Sequence, residues 1–240
     1  MIPYDAIDTL FLDSGNTLVS MDFALLCDVL AAHGVACEPA ALARAEAAAR
    51  PAVSRFCVGG ASGEWSDVFT FYLHRVLGGL GGSAATARDT LAPTLAGAIR
   101  RTVPTPRLWS AVLPGVPDAL ARLRAAGITL VVVSNSDGTA EHGLAAVGLR
   151  AHVHHVVDSA LLGIEKPAAG IFVHALELAG AAPERTLHVG DLYDVDVLGA
   201  RAAGVHGLLL DPYGDWPDVD CARAADVAAV ADAILGARRG

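Results

Sequence analysis

The stretch Ile7-Asp8-Thr9-Leu10-Phe11-Leu12-Asp13-Ser14-Gly15-Asn16-Thr17-Leu18 decides how the rest of the chain is read. A short apolar run ends in a carboxylate, then come Gly-Asn and a hydroxyl. Such a run suits a parallel strand covered by helices on both faces. Asp13 then falls just past the strand's carboxyl end, where open α/β sheets bind their ligands. A carboxylate there is read as a nucleophile and a metal ligand at once.

Outward from this stretch the chain changes texture twice. Residues 23–105 carry helical spacing and no convincing strand. Phe23, Leu26, Cys27 and Leu30 repeat along a first helix, and Glu38-Pro39 opens a second. Trp65, Val68, Phe69, Tyr72, Val76 and Leu77 mark one face of a third. Gly78 to Gly82 reads as a loop, Pro93 as a break or kink, and Pro104-Thr105-Pro106 as a linker. From Trp109 onward, strand and helix alternate. Expected strands are 128–133, 153–157, 186–189 and 205–210. The helices between them have core faces at Val116, Leu120 and Leu123, then Ile171, Phe172, Ala175 and Leu176, and finally Val227, Val230, Ala231 and Ile234. This alternation predicts an α/β fold with a parallel sheet and right-handed crossovers. The core is expected over residues 1–20 and 108–240, with an inserted all-helical domain over 21–107.

Composition narrows the function. At 53% hydrophobic residues the chain has ample material for a core, and a net charge of −9 argues against nucleic acid as a partner. A small phosphorylated ligand needs only one local positive pocket. The 4 cysteines show no CxxC spacing and are read as small buried hydrophobes, with no disulfide framework. There is no signal-peptide pattern and no run of roughly 20 apolar residues. A cytoplasmic protein is expected, with no membrane partner. Oligomeric state is not legible.

Four polar clusters follow predicted strands: Asp13 with Thr17, Ser134 with Asn135, Lys166, and Asp191 with Asp196. Parallel strands share one carboxyl edge, so these clusters are expected to converge. Three carboxylates would repel unless something positive lay among them, and oxygen donors of this kind suit Mg²⁺. Lys166 and the Ser134 hydroxyl suit phosphate oxygens. Attack of Asp13 on phosphorus would form an aspartyl-phosphate.

In this order the motifs resemble the haloacid dehalogenase-like hydrolase superfamily over nearly the whole chain. Asp13-Ser14-Gly15-Asn16-Thr17-Leu18 is similar to its first motif and Val131-Val132-Val133-Ser134-Asn135 to its second. Gly163-Ile164-Glu165-Lys166-Pro167 is similar to the third, and His188-Val189-Gly190-Asp191 through Asp196 to Gly204 to the fourth. The resemblance implies a Rossmann-like core with a helical cap that selects substrates. It makes Asp13 the nucleophile and assigns Ser134 and Lys166 to the phosphoryl oxygens. Metal ligands would be Asp13, the Gly15 carbonyl, Asp191 and Asp196. Asn16 and Asn135 are expected to contact substrate.

One position departs from the pattern. Most phosphatases of the family carry a second Asp where this chain has Gly15, and general acid–base help is typically worth about 10² to 10⁴-fold. Asp22, beside Phe23, is read either as a replacement acid or as the cap of the helix that starts there. Asn16 stands where Gly is usual and tolerates a left-handed backbone. The expected activity is Mg²⁺-dependent hydrolysis of a small phosphomonoester, with sugar phosphates among the candidate substrates. Alternatives are a 2-haloacid dehalogenase and a phospho-ligand-binding protein with little turnover. The adjacent His154 and His155 would point to opposite strand faces and are not expected to share a metal. His188 is expected to be packed within its strand. Arg50, Arg55 and Arg75 are candidates to meet a substrate anion, and Trp109 is unassigned.

Overall fold

The computed structural model describes residues 1–59 and 67–239. In chain order these form β1 (Thr9–Leu12), β2 (Val19–Ser20), α1 (Phe23–Ala32), α2 (Pro39–Val58), α3 (Val68–Leu80), α4 (Gly82–Thr102) and α5 (Thr105–Leu108). Then follow β3 (Ala111–Val112), α6 (Val116–Ala125), β4 (Thr129–Ser134), α7 (Ala140–Ala146), β5 (His155–Asp158), α8 (Ser159–Leu162) and α9 (Ala169–Ala179). The chain ends with β6 (Thr186–Gly190), α10 (Leu198–Ala202), β7 (His206–Leu210), β8 (Ala222–Ala224) and α11 (Val227–Ala237). Two compact units result: Met1–Ser20 with Trp109–Gly240, and Met21–Leu108.

The first unit is a six-stranded sheet in the order β5-β4-β1-β6-β7-β8, every pair parallel. The apolar run that opens the reading is the central strand. Its neighbours are β4, in register Leu12↔Val132, and β6, in register Leu12↔Val189. The chain winds outward through β4 and β5, then returns to the other side of β1 through β6. The carboxyl end of β1 is therefore the switch point of the sheet.

Alternate residues of the strands go to opposite faces. Leu10, Leu12, Leu130, Val132, Leu187 and Val189 pack with Val116, Leu120 and Leu123 of α6 and with Val227, Val230 and Ile234 of α11. Phe11, Val131, Val133 and Val157 pack with Ile171, Phe172 and Ala175 of α9 and with Ala200 of α10. The expected core faces of these helices are thus buried.

The second unit is helical, and its details correct several expectations. The loop read over Gly78 to Gly82 shrinks to Gly81: α3 runs to Leu80 and α4 starts at Gly82, with Gly81 at φ +74°. Pro93 lies inside α4 without ending it. Thr105 and Pro106, read as part of a linker, open the short α5, Thr105–Leu108. Trp65 lies outside the described residues. Tyr72, Val76 and Leu77 are buried as the spacing predicts, whereas Val68 is exposed. The cysteines are not buried: all four are partly exposed. Among the described residues no helix is long and apolar enough to cross a membrane.

Candidate active site

Asp13 leaves β1 with its N–H donating to the Val189 carbonyl at 2.9 Å, so the sheet ladder itself delivers the carboxylate to the rim. The chain then folds tightly on itself. The Ser14 carbonyl accepts from both Leu18 and Val19, and the Asn16 N–H donates to the Val19 carbonyl at 2.6 Å. Asn16 adopts φ +52°, the left-handed conformation expected of an Asn in this place.

Lys166 is the hub. Its Nζ lies 2.6 Å from Asp13 Oδ1 and 2.7 Å from Asp196 Oδ1, with all three side chains buried. Burial pulls the lysine pKa down, but the two carboxylates outweigh it and hold the ammonium charged. Burial likewise raises Asp196, yet Lys166 and His188 overcome it and hold that carboxyl well below the usual range. For Asp13 burial wins over Lys166, helped by repulsion from Asp196, and its carboxyl is raised. The fully buried His188 donates from Nε2 to Asp196 Oδ1 at 3.0 Å and packs edge-on to Phe172 at 5.0 Å. Burial lowers its pKa, so it is a neutral donor and adds no charge.

Several expected roles come out differently. Asn135 does not face outward: its amide donates to the Lys166 carbonyl at 2.9 Å and its Oδ1 accepts the Lys166 N–H at 2.8 Å. It grips the lysine's backbone rather than a substrate. Asn16 donates to Asp191 Oδ2 at 3.1 Å, so it orients a carboxylate. Asp196, expected as a metal ligand, has Oδ1 taken by Lys166 and His188 and Oδ2 by the Leu192 N–H at 2.9 Å. These contacts support the lysine. Ser134 ends β4 in a buried position, in register with Asp158. Thr17 is fully buried, and its hydroxyl has no hydrogen-bond partner among the described residues.

Asp22 belongs to the helical unit, where it caps α1 by accepting from Leu25 N–H at 2.9 Å and pairs with Arg107 at 2.6 Å. The Leu25 hydrogen bond and Arg107 hold its carboxyl below the ordinary range, which is the wrong direction for a proton donor. The reading of Asp22 as a helix cap is the one the geometry carries. Arg50 is buried against Glu46, while Arg55 and Arg75 are exposed. His154 Nδ1 accepts the Leu130 N–H at 2.9 Å, a structural use.

Glycines shape the site as much as its charges do. A Cβ at Gly190 would lie 2.2 Å from Asp196 Cγ, so only a missing side chain lets Asp196 lie beneath Lys166. A Cβ at Gly199 would meet Pro167 Cα at 2.9 Å, which sets how closely α10 approaches the lysine loop. At Gly15 a Cβ would meet the Trp109 ring at 3.2 Å. The indole closes the place of the missing Asp. Sequence spacing offers no sign of this contact, since 94 residues separate the pair in the chain.

The site's charges fit a divalent cation of the Mg²⁺ type. Asp13, Asp191 and Asp196 are all buried, and Lys166 Nζ lies against two of them, Asp13 and Asp196. Among the described residues no three His, Cys, Asp or Glu side chains gather as a cage. Two carboxylates, Asp13 and Asp191, with backbone and water oxygens, match the sparse protein ligation of Mg²⁺.

Comparison with known proteins gives the family. A family model described as haloacid dehalogenase-like hydrolase matches residues 7–204. The haloacid dehalogenase-like hydrolase domain-containing protein 3 of Homo sapiens is 42% identical over 105 residues, covering 44% of this chain and 41% of that protein. A glyceraldehyde 3-phosphate phosphatase of Methanopyrus kandleri is 36% identical over 93 residues, 38% of this chain and 40% of its own. The chain thus matches well under half the length of these curated relatives. Among solved structures, the putative HAD-hydrolase YfnB from Bacillus subtilis bound to magnesium covers 92% of this chain and 95% of its own at TM-score 0.62. Its 18% identity speaks for the fold alone. With the family model spanning both the first strand and the Asp191 to Gly204 segment, the chain belongs to the haloacid dehalogenase-like hydrolases.

Proposed function

We propose that this protein hydrolyses a small phosphomonoester through a phosphorylated Asp13. The observation that carries the reading is the 2.6 Å contact between Asp13 Oδ1 and Lys166 Nζ at the switch point of the sheet. It sets a nucleophilic oxygen beside the cation that the transferring phosphoryl group needs. The relatives named glyceraldehyde 3-phosphate phosphatase and phosphoglycolate phosphatase support the same class of substrate.

In this reading an Asp13 oxygen attacks phosphorus and the ester oxygen leaves. Water then attacks the phosphorus of the Asp13 phosphoryl group, releases inorganic phosphate and restores the carboxylate. Lys166 neutralises the equatorial oxygens, and Asp196, His188 and the Asn135 amide keep it aimed. Ser134, at the end of β4, donates to the same oxygens. A divalent cation held by Asp13, the Gly15 carbonyl and Asp191 would supply further positive charge there.

Neither Gly15 nor Asp22 offers a proton to the leaving oxygen. The reading therefore favours esters whose leaving group departs without one, such as anomeric sugar phosphates. A panel of phosphorylated metabolites, assayed with and without Mg²⁺ beside Asp13→Asn, tests it. Phosphate release should require Mg²⁺ and vanish in the variant. Halide release from 2-haloacids that persists in EDTA would replace this reading with a dehalogenase.

A further inference from the structure

Cys27 and Cys37 lie in the helical unit and take no part in the reaction proposed above. Cys27 sits mid-way along α1 and Cys37 two residues before Pro39 opens α2. Their sulfurs are 2.9 Å apart. The backbone between them is a firmly tied turn. The Leu30 carbonyl accepts from both His33 and Val35, the Ala31 carbonyl accepts from Gly34, and Gly34 takes φ +80°. Val35 is buried and anchors the return. The fold thus holds the two sulfurs face to face while leaving both partly exposed to solutes. A sulfur–sulfur bond is about 2.0 Å long, so closure asks for an approach of only about 0.9 Å.

We propose that Cys27 and Cys37 form a reversible disulfide site, closed by a small neutral peroxide and reopened by a dithiol. The two sulfurs have distinct tasks. Burial, the contact with Cys37 and the nearby Glu38 and Asp28 push the Cys27 thiol up to about 12, so it rests protonated. Cys37, in the turn outside either helix, is assigned as the sulfur that reacts first. It attacks a peroxide oxygen: the S–O bond forms, the O–O bond breaks, and water leaves with the thiol proton. Cys27 sulfur then attacks Cys37 sulfur. The S–S bond forms, the S–O bond breaks, and the departing hydroxide takes the Cys27 proton as a second water. Two thiols are oxidised and one peroxide is reduced. The acidic flanks, Asp28 and Glu38, disfavour anionic oxidants such as oxidised glutathione. Once formed, the bond fastens α1 to the start of α2.

Peptide mapping of the full chain after hydrogen peroxide tests this. No Lys or Arg precedes Arg44, so trypsin leaves residues 1–44 in one peptide. Further cleavage before Asp22 and Asp28 gives segments 22–27 and 28–44, each with one of the two cysteines. The two segments should stay joined and separate on adding dithiothreitol. Two of the 4 thiols should be lost together. A Cys57→Ser/Cys221→Ser chain should keep the link, while Cys27→Ser should accumulate a sulfenic acid trapped by dimedone on Cys37. Separate segments in the wild type, or a link that disappears in the Cys57→Ser/Cys221→Ser chain, would each overturn the proposal.

Discussion

Both units bury a charged cluster, and the two clusters are built differently. In the sheet unit Lys166 stands between Asp13, just past β1, and Asp196, in the helical turn after β6, with Asp191 hydrogen-bonded to Asn16 on the loop that follows Asp13. In the helical unit Glu46, fully buried, takes Arg50 Nη2 at 2.6 Å, Arg50 Nε at 3.0 Å and the Tyr72 hydroxyl at 2.6 Å. The second cluster joins the Glu46 carboxylate, the Arg50 guanidinium and the Tyr72 phenol where α2 meets α3. The first gathers at the carboxyl end of β1, the switch point of the sheet. A buried ion pair between helices holds them in register, whereas one at the switch point of a sheet lies where ligands bind.

The largest expected effect comes from breaking the cluster at the switch point of the sheet. Lys166→Met leaves two buried carboxylates without their cation, so phosphate release should fall to background. Denaturant unfolding should show a loss of about 3–5 kcal/mol. The matching change in the helical unit, Arg50→Met, strands Glu46 and should cost about 3 kcal/mol or more. Turnover per folded molecule should persist there. If it vanished while the chain stayed folded, the contrast between the two clusters would fail.

Gly190→Ala sharpens the comparison without touching a charge. The added Cβ overlaps Asp196, and unfolding should show a loss of about 1–3 kcal/mol. Because Lys166 would lose its aim, turnover should drop on the order of 10²-fold. The smallest effect belongs to a helix end. Asp67 caps α3 by accepting from Thr70 N–H at 2.8 Å and also pairs with Arg100. Asp67→Ala should cost about 1 kcal/mol. Burial raises the Asp67 pKa, but Arg100 and the Thr70 bonds overcome it and the carboxyl is lowered. Its contribution is therefore complete above the unfolded value of about 3.9 and fades as pH falls through the lower folded one. The difference between wild type and variant should close on acidification, as followed by thermal melts.

The strands that carry the site were legible because β1, β4 and β6 are buried on both faces and so spell unbroken apolar runs. β8 was not: Ala-Arg-Ala has neither alternation nor β-branching, and parallel pairing with β7 alone makes it a strand. Pro93 misled for a physical reason, since a helix held by packing along Ala92, Leu95, Ala96 and Ile99 continues past one missing N–H. At the site, Asp13, Lys166, Asp191 and Asp196 could be found from their places after strands. What could not be read was direction. The Asn135 amide spans to residue 166 and the Asn16 amide to residue 191, and only the tertiary fold brings those partners within reach. The pairing of Trp109 with Gly15 was hidden for the same reason.

The hollow at Gly190 has a consequence for how this sequence tolerates change. The residue does no chemistry, yet an aspartate occupies the volume where its methyl would stand. Substitution surveys should score it as harshly as a reacting group. Any attempt to graft this rim onto another scaffold must carry that empty space along with the acids and the base.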